Sequence, residues 1–276
     1  MFPKCNLHTH TNFCDGKDSP EEVVLLAIAL GMHTIGFSGH SYTPGVYEDC
    51  CMSEQGTDEY VREIRRLQRL YGDRIRILCG IELDSLSKKP SYSFDYSIGS
   101  VHYIEKDGVV FAVDDTVEAV KHGVDECFHG NVYAYIKAYF ESLVRMFSET
   151  PCDIVGHIDL VEKLNANECL FSSSDYRYKR ALIDAVDALL EKDVIFEINT
   201  GAIARGYTKT PYPSCFALRR IAERRGRVIL NSDAHRKENL LFWFQNAVYY
   251  AKACGVGGLT VPSERGWKTV PIGFEG

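Results

Sequence analysis

The chain has 276 residues, of which 45% are hydrophobic and 25% are charged, so it is long enough to bury a sizeable core in an α/β domain. Thirty-one basic and thirty-eight acidic residues give a formal net charge of −7, which disfavours broad nucleic-acid binding because such binding needs a basic surface. The sequence shows neither a signal-peptide pattern nor an apolar run of membrane-spanning length. We therefore expect a cytoplasmic protein with no membrane partner, whose ten cysteines are reduced thiols.

Strand-like apolar runs alternate with amphipathic helices along the chain, without a linker or an internal repeat. We treat residues 1–276 as a single domain of parallel α/β type. The predicted strands, in chain order, are 4–8, 33–38, 74–83, 96–101, 153–156, 194–199 and 227–231. The predicted helices are 19–31, 58–71, 117–124, 132–147, 175–191, 214–225 and 240–254. Such a series can close as a barrel or lie open as a doubly wound sheet.

Two long segments interrupt this alternation, one after the second predicted strand and one after the fourth. The first, 41–57, contains proline, glycine and acidic residues with little periodicity, and is predicted to be a loop. The second, 103–130, is predicted to hold a hairpin at Lys106-Asp107-Gly108 besides its short helix. Loops that follow parallel strands lie over the carboxyl ends of those strands, where such folds build their binding sites.

The side chains that suit metal ligation are concentrated at or just after the predicted strand ends. Six of the nine histidines are found there: His8, His10, His40, His102, His157 and His235. Three carboxylates accompany them: Asp15, Glu82 and Asp233. The carboxyl ends of all strands meet at one mouth of a closed barrel, so this distribution favours closure. The other histidines, His33, His122 and His129, lie elsewhere and are expected to have no ligand role.

His8 and His10 form the most compact unit, because alternate side chains of an extended segment point to the same side. Neutral imidazole is a common ligand for zinc, iron and manganese. Without cations, a shared cavity of imidazoles and carboxylates would be destabilised by like charges and unpaired polar groups. At about four ligands per ion, the nine side chains suit two or three divalent metals.

Seven motifs extend this pattern through essentially the whole chain. They are LHTHTNFCDG (7–16), GFSGHS (36–41), GIELD (80–84), GSVHYI (99–104), IVGHIDL (154–160), FEINTG (196–201) and LNSDAH (230–235). In their order and spacing the chain resembles the PHP superfamily (polymerase and histidinol phosphatase), and most closely its histidinol-phosphate phosphatase branch. The segments VDD (113–115) and YFESL (139–143) favour that branch over the polymerase-associated exonucleases.

The resemblance implies a distorted (βα)7 barrel with three divalent metal ions at the carboxyl ends of its strands. Zinc, iron and manganese all suit mixed nitrogen and oxygen ligands, so the identity of the ions stays open. The three implied ligand sets are His8, His10, Glu82 and Asp233 for the first ion, Glu82, His102 and His157 for the second, and Asp15, His40 and His235 for the third.

The resemblance also implies hydrolysis of a small phosphate monoester, with L-histidinol phosphate as the expected substrate and histidine biosynthesis as the expected pathway. Bound divalent ions lower the pKa of water toward about 7, which supplies a nucleophile at neutral pH. Asp233 or His235 would protonate the leaving alkoxide. The candidate phosphate-binding cations outside the metals are Arg205, Arg236 and Lys163.

The two long loops are expected to contact the alcohol part of the substrate. The candidates for an aromatic wall against an imidazole are Tyr42, Tyr47, Tyr103 and Phe111. The candidate acids for the amino group of histidinol are Glu48, Asp49, Asp114 and Asp115.

Other functions stay open at this point. A phosphatase acting on another small ester, such as a nucleotide or sugar phosphate, is the nearest, because Glu162 and Tyr103 depart from the pattern of the histidinol phosphatases. The net charge disfavours a PHP exonuclease, and no nucleic-acid partner is expected. The completeness of the ligand set disfavours a metal-binding regulatory or storage module without turnover. A structural zinc site is also disfavoured, because nine ligands exceed what a closed tetrahedral site needs. The sequence does not indicate an oligomeric state.

Overall fold

The computed structural model describes residues 2–45, 50–88 and 91–273. Its strands are β1 (Cys5–Asn6), β2 (Thr34–Phe37), β3 (Arg76–Asp84), β4 (Tyr96–Ser100), β5 (Tyr103–Lys106), β6 (Val109–Ala112), β7 (Ile154–Val155), β8 (Ile195–Asn199), β9 (Arg227–Asn231), β10 (Gly258–Ser263) and β11 (Gly266–Pro271). Its α-helices are α1 (Pro20–Ala29), α2 (Glu54–Tyr71), α3 (Val117–Phe128), α4 (Val132–Glu149), α5 (Tyr176–Leu190), α6 (Gly201–Ala204), α7 (Cys215–Glu223) and α8 (Phe244–Ala253). No helix within these described ranges combines the length and the apolar character that crossing a bilayer requires.

Seven strands form one parallel sheet in the order β1-β2-β3-β4-β7-β8-β9, which is their order along the chain. Helices connect these strands except between β3 and β4, where the described residues form no helix. The larger apolar cluster contains buried side chains of both the helices and the strands. Because successive strands pair side by side and β9 returns to β1, the sheet curls into a nearly closed barrel. The predicted distorted (βα)7 barrel is confirmed.

The seam between β1 and β9 is closed just beyond the strands. The backbone nitrogen of His10 donates to the carbonyl of Ala234 at 2.9 Å, and the nitrogen of Ala234 donates to the carbonyl of His8 at 3.1 Å. The Asn6 side chain donates to Ser232 Oγ at 2.8 Å and accepts from the Ser232 backbone nitrogen at 3.0 Å. The seam therefore fixes the chain on both sides of the first candidate ligands.

A compact apolar layer fills the inside of the barrel. It consists of Cys5, Leu7, Leu78, Tyr96, Ile98, Ile154, Ile195, Ile229 and Val261. The ring of Tyr96 occupies the centre, and its hydroxyl lies within hydrogen-bonding distance of the carbonyls of Leu7 and Phe37. A Cβ at Gly36 or Gly80 would lie 2.5 or 2.3 Å from this side chain, so both strands need glycine there.

The hairpin β10–β11 is an element that sequence analysis did not predict. It is antiparallel, β10 packs against β9, and Val261 joins the apolar layer inside the barrel. Trp267 and Val270 pack against the same layer, so the hairpin covers the amino-terminal end of the barrel. Prolines 262 and 271 obscured the signal, because proline argues against a strand unless the strand is at an edge.

Several predicted boundaries were wrong, among them that of α3, which ends at Phe128 rather than at residue 124. The first strand ends at Asn6 rather than at residue 8. Helix α2 begins at Glu54, inside the predicted loop 41–57, because Ser53 Oγ accepts the backbone N–H of Gly56 at 2.9 Å and caps the helix. The last helix begins at Phe244 rather than at residue 240, after a 3-10 turn at 237–239. The hairpin predicted at 106–108 is confirmed as β5–β6.

One pair of cysteines contradicts the prediction of ten reduced thiols. Cys215 begins α7, Cys254 follows α8, and the two form a disulfide with a Cα–Cα distance of 5.6 Å. The two residues are 39 positions apart, and the contact between α7 and α8 brings them together. This pairing depends on helix packing, which the spacing of the cysteines does not reveal.

Candidate metal centre

On the inner face of the barrel, apolar side chains are followed along the same strands by candidate metal ligands, because alternate residues of a strand point to the same side. On β3, Leu78 belongs to the apolar layer and Glu82, four residues later, lies at the carboxyl end. On β8, Ile195 belongs to the same layer, and Glu197 and Asn199 follow on the same face. Both glutamates are buried. The parallel strands therefore deliver their polar side chains to a single mouth.

Glu82 lies at the centre of this mouth and faces five imidazoles, one of which is that of His10, whose Nε2 is 3.5 Å from Glu82 Oε2. Its Oε2 is 3.2 Å from His8 Nε2 and 3.1 Å from His40 Nδ1. Its Oε1 is 3.1 Å from His157 Nε2 and 3.7 Å from His102 Nε2. A carboxylate with imidazoles on both oxygens has the arrangement needed to bridge two ions.

Two aspartates also contact imidazoles of the cluster. Asp233 Oδ1 is 3.2 Å from His10 Nε2 and 3.6 Å from His8 Nε2. Asp15 Oδ2 is 3.0 Å from His235 Nε2. All nine side chains singled out at the strand ends therefore lie together.

Their ligand atoms form four overlapping groups, in each of which they lie within 4.8 Å of one another, whereas the resemblance implies three sets, two of which share Glu82. The groups are His8, His10 and Asp233; His8, Glu82 and His157; His40, Glu82 and His102; and His10, Asp15, His40 and His235. The chief difference is His10, which lies with the third implied set as well as with the first. The three other histidines of the chain are exposed: His33, His122 and His129.

Several of these ligand atoms are buried and have no hydrogen-bond partner among the described residues. They include His8 Nε2, His10 Nε2, Asp15 Oδ1 and Glu82 Oε2. Polar atoms that are buried without partners cost free energy, and native proteins rarely leave them so. Divalent cations would pair with all four atoms, so the donor set fits a metal centre.

Burial and the neighbouring charges act against each other in this cluster. Burial raises the pKa of Glu82, but the imidazoles that face it, first His8 and then His40, bring that pKa well below its ordinary value. Burial lowers the pKa of His8, yet the carboxylates of Glu197 and Glu82 raise it well above its ordinary value. At His10, burial followed by two neighbouring imidazoles lowers the pKa to about 3. Without ions, the buried carboxylates are therefore balanced by protons on part of the histidines.

Two acidic residues that were not predicted from the sequence contact histidines of the cluster without belonging to the ligand groups themselves. Glu197 Oε1 is 2.7 Å from His8 Nδ1, and its Oε2 accepts the backbone N–H of His157 at 3.0 Å. Asp84 Oδ2 accepts the backbone N–H of His102 at 2.6 Å and is 3.5 Å from Nδ1 of that ring. Carboxylates behind metal-bound histidines fix their tautomer and orientation. The feature of the sequence that could have identified these two residues is an acidic side chain within an otherwise apolar strand.

Arg205 is the cation that lies nearest the cluster. Its Nη1 is 2.8 Å from His235 Nδ1, and its Nη2 donates to Asp233 Oδ2 at 3.0 Å. The side chain is 28% exposed, so part of the guanidinium is open to the cavity that it lines.

The other two predicted cations differ in position. Lys163 lines the same cavity, and its Nζ donates to Asp114 at 2.6 Å. Arg236 is exposed, and it is not among the described residues that line the cavity.

The cavity above the cluster has two lobes. The cation lobe has a volume of about 170 Å³ and is formed by Leu160, Lys163, Arg205 and Tyr207. The thiol lobe has a volume of about 110 Å³ and is formed by Ser41, Thr43, Cys50, Cys51 and Tyr103. Both lobes share Asp15, His40, Glu82, His102 and Asp114.

The structure divides the residues proposed to contact an alcohol. Tyr103 lines the thiol lobe, and Asp114 lines both lobes. The prediction for Phe111 was wrong, because its partly buried ring packs against the hydrophobic core, with its centroid 5.8 Å from that of Tyr135. Of the others, Tyr42 lines a separate surface cavity and Asp115 is exposed, while Tyr47, Glu48 and Asp49 lie outside the described residues.

Comparison with known proteins adds a family match to this geometry. A family model described as "PHP domain" matches residues 6–201, which hold seven of the nine candidate ligands. A protein of Schizosaccharomyces pombe named "Probable histidinol-phosphatase" is 28% identical over 280 residues, covering 91% of this chain and 87% of that protein. The "Histidinol-phosphatase" of Bacillus subtilis is 25% identical over 252 residues, covering 83% and 92%.

Among solved structures, histidinol phosphate phosphatase of Lactococcus lactis superimposes with a TM-score of 0.70. The match covers 97% of this chain and 100% of that one at 23% identity, and that protein was crystallised with zinc, L-histidinol and phosphate. At this level of identity the likeness shows that the two proteins share a fold.

Proposed function

The chain belongs to the PHP domain family, and we propose that it is a metal-dependent phosphatase that hydrolyses L-histidinol phosphate to L-histidinol and phosphate. The observation that carries the proposal is the convergence of eight ligand side chains around a ninth, Glu82; several have buried atoms without a hydrogen-bond partner among the described residues. The relatives named histidinol-phosphatase, which match most of the chain, support the choice of substrate and a place in histidine biosynthesis.

We propose three divalent ions, held by the nine ligands His8, His10, Asp15, His40, Glu82, His102, His157, Asp233 and His235. Bound ions would make a water-derived nucleophile available at neutral pH and offset the negative charge that develops on the phosphoryl group. Zinc is the first ion to test, because the Lactococcus protein was crystallised with it; iron and manganese suit the same ligands.

The cation lobe is the proposed place for the phosphoryl oxygens that point away from the ions. Arg205 presents a planar, permanently charged donor group beside Asp233 and His235. Lys163 adds a second positive charge, although Asp114 neutralises part of it. Arg236 has no part in this proposal, because its side chain is exposed away from the residues lining the lobe.

His235 is the better of the two predicted proton donors. Burial raises the pKa of Asp233, but Arg205 and then His8 bring it well below its ordinary value, so this carboxyl group holds no proton at neutral pH. Arg205 donates to Nδ1 of His235 at 2.8 Å, so only Nε2, 3.0 Å from Asp15 Oδ2, could carry the proton, and only when that nitrogen is not bound to an ion.

Three further expectations accompany this function. We infer a single domain over 1–276, a cytoplasmic location and a small-molecule phosphate ester as the partner, without nucleic acid or membrane. The net charge of −7 supports the exclusion of nucleic acid.

The direct test is phosphate release by the metal-loaded chain from L-histidinol phosphate, measured beside nucleotide and sugar phosphates. Parallel assays on protein loaded with zinc, manganese or ferrous iron identify the ion. We expect a strong preference for histidinol phosphate, shown as the largest kcat/KM of the panel. A preference for another ester would keep the metal-dependent hydrolysis and overturn the substrate. No turnover at full metal occupancy would overturn the phosphatase itself.

A further inference from the structure

Two adjacent cysteines lie beside the proposed metal centre without being part of it. Cys50 and Cys51 are partly exposed and line the thiol lobe, which shares His40, Glu82 and His102 with the ligand cluster. The proposed hydrolysis uses neither sulfur.

The two sulfur atoms are close together and the segment behind them is anchored. The Sγ atoms of Cys50 and Cys51 are 3.5 Å apart, and the Tyr103 hydroxyl is 3.3 Å from Cys50 Sγ. The next residue, Met52, is buried, and its backbone N–H donates to the carbonyl of His40 at 3.0 Å. The dithiol is thus tied to the backbone that carries a candidate metal ligand.

The geometry of this cysteine pair suits chelation of an ion better than oxidation to a disulfide. A disulfide usually joins Cα atoms that are roughly 4.4–6.8 Å apart, whereas neighbouring Cα atoms are about 3.8 Å apart, so this bond would distort the backbone. A thiophilic ion bound tetrahedrally at about 2.3 Å from each sulfur needs about 3.8 Å between them. The observed 3.5 Å is close to that value.

We propose that Cys50 and Cys51 form a chelating site for thiophilic ions, and that an ion bound there obstructs the thiol lobe and stops turnover. The obstruction rests on the proposed function, whereas the binding site does not. Soft thiolates select soft ions, while imidazole and carboxylate ligands hold the harder metals of the catalytic centre. A thiophilic ion could therefore inhibit the enzyme without displacing its catalytic ions.

Trivalent arsenic is the sharpest probe, because it reacts with paired thiols and has little affinity for imidazole or carboxylate. Phenylarsine oxide would condense with both thiols to form two As–S bonds. The arsenic-bound oxygen leaves as one molecule of water with the two thiol protons, and no electrons are transferred.

The experiment treats the full, metal-loaded chain with one equivalent of phenylarsine oxide and follows intact mass, metal content and phosphatase activity. We expect one adduct per chain, mapped to Cys50 and Cys51, unchanged metal content and loss of most of the activity. A dithiol such as dimercaptopropanol should remove the adduct and restore activity, whereas a monothiol should not.

Three variants separate this site from other cysteines. The double variant C50S/C51S should take no adduct, and its own activity should not fall on treatment. C169S, which alters an exposed cysteine, and C215S/C254S, which removes the disulfide pair, should still be labelled and inhibited.

An adduct that persists in C50S/C51S, or maps to another pair, would overturn the site. Full labelling without loss of activity would overturn the obstruction of the lobe. A chain that takes the adduct at Cys50 and Cys51 but hydrolyses no ester before labelling would overturn the proposed function and leave the dithiol site standing.

Discussion

His8 Nδ1 lies 2.7 Å from Glu197 Oε1, and both side chains are fully buried. Glu197 is held in turn by Asn199 and Asn231, whose side-chain amides each donate to it at 2.9 Å. This network leaves His8 Nε2 directed at Glu82, 3.2 Å from its Oε2. Glu197 thus orients a candidate metal ligand without belonging to any of the ligand groups.

Replacing Glu197 should weaken metal binding. In E197Q the shape is kept but the charge is lost, and losing such a supporting carboxylate typically costs about 10–100-fold in metal affinity. Metal titration of the metal-free protein measures the change. E223Q, at an exposed position of α7, is the matched control and should bind metal like the unaltered chain. Equal affinities in the two variants would contradict the positioning role.

Arg205 should contribute to turnover far more than Arg236. Arg205 contacts Asp233 and His235 and lines the cation lobe, whereas Arg236 is exposed. Losing one donor aimed at developing charge costs about 10²–10³-fold, so R205A should lower kcat/KM for the phosphate ester by about that factor. R205K should recover only part, because an ammonium cannot reach both neighbours at once. If R236A caused the larger loss, the phosphate would lie elsewhere.

Protons and metal ions should compete for the ligand cluster. The folded-state pKa values of His8, His40 and His102 lie above the ordinary value of about 6.5, because neighbouring carboxylates outweigh the opposing effect of burial. Protonation of these rings stabilises the metal-free fold below about pH 6.5, and that contribution is lost as the pH rises through the raised pKa values. The buried carboxylates of Glu82 and Asp233 have lowered pKa values, so their contribution to the stability of the fold is lost as the pH falls into the acid range.

Thermal unfolding tests this competition. From about pH 6 to about pH 8.5, the Tm of metal-free protein should fall. Metal affinity should rise over the same interval, because binding must displace these protons, so the gap in Tm between loaded and metal-free protein should widen. A metal-free Tm that rises with pH would contradict the assigned protonation.

Local pattern predicted the strands, the helices and the candidate ligands, whereas closure into a barrel was inferred from the distribution of those ligands and from the family resemblance. Strand period and helix caps are local signals, and His8 or His235 could be recognised by its position at a strand end. Glu197 and Asp84 were missed because their role depends on which ring lies behind them across the barrel. The disulfide between Cys215 and Cys254 and the hairpin that covers the amino-terminal end likewise depend on contacts between distant elements.

A salt bridge between two loops should hold one part of the centre together. Lys237 Nζ is 3.0 Å from Asp18 Oδ1, and the Lys237 backbone N–H donates to Asp18 Oδ2 at 2.8 Å. The two loops carry Asp15 and His235, which are 3.0 Å apart. D18N should therefore lower the occupancy of the ion held by Asp15, His40 and His235 at limiting metal.

Global stability should change little in D18N, since a partly exposed ion pair contributes roughly 0–1 kcal/mol. Metal content per chain after dialysis, read beside Tm, separates the two effects. R180Q removes an exposed pair with Asp184 on α5 and serves as the control. Loss of metal from both variants, or from neither, would contradict the local role of Asp18.

Asp114 should determine the preference of the enzyme for a substrate whose alcohol part carries an ammonium group. Its carboxylate lines both lobes and accepts from Lys163 at 2.6 Å. Burial raises its pKa, but Lys163 and then His102 lower it, so it is charged at neutral pH. A hydrogen bond to a charged group contributes about 1.5–3 kcal/mol, so D114N should raise KM for L-histidinol phosphate by about 10–100-fold. For p-nitrophenyl phosphate, whose alcohol has no ammonium group, kcat/KM should change much less. If both substrates lost activity equally, Asp114 would instead act by holding Lys163 for the phosphate, and K163M should then reproduce the same loss.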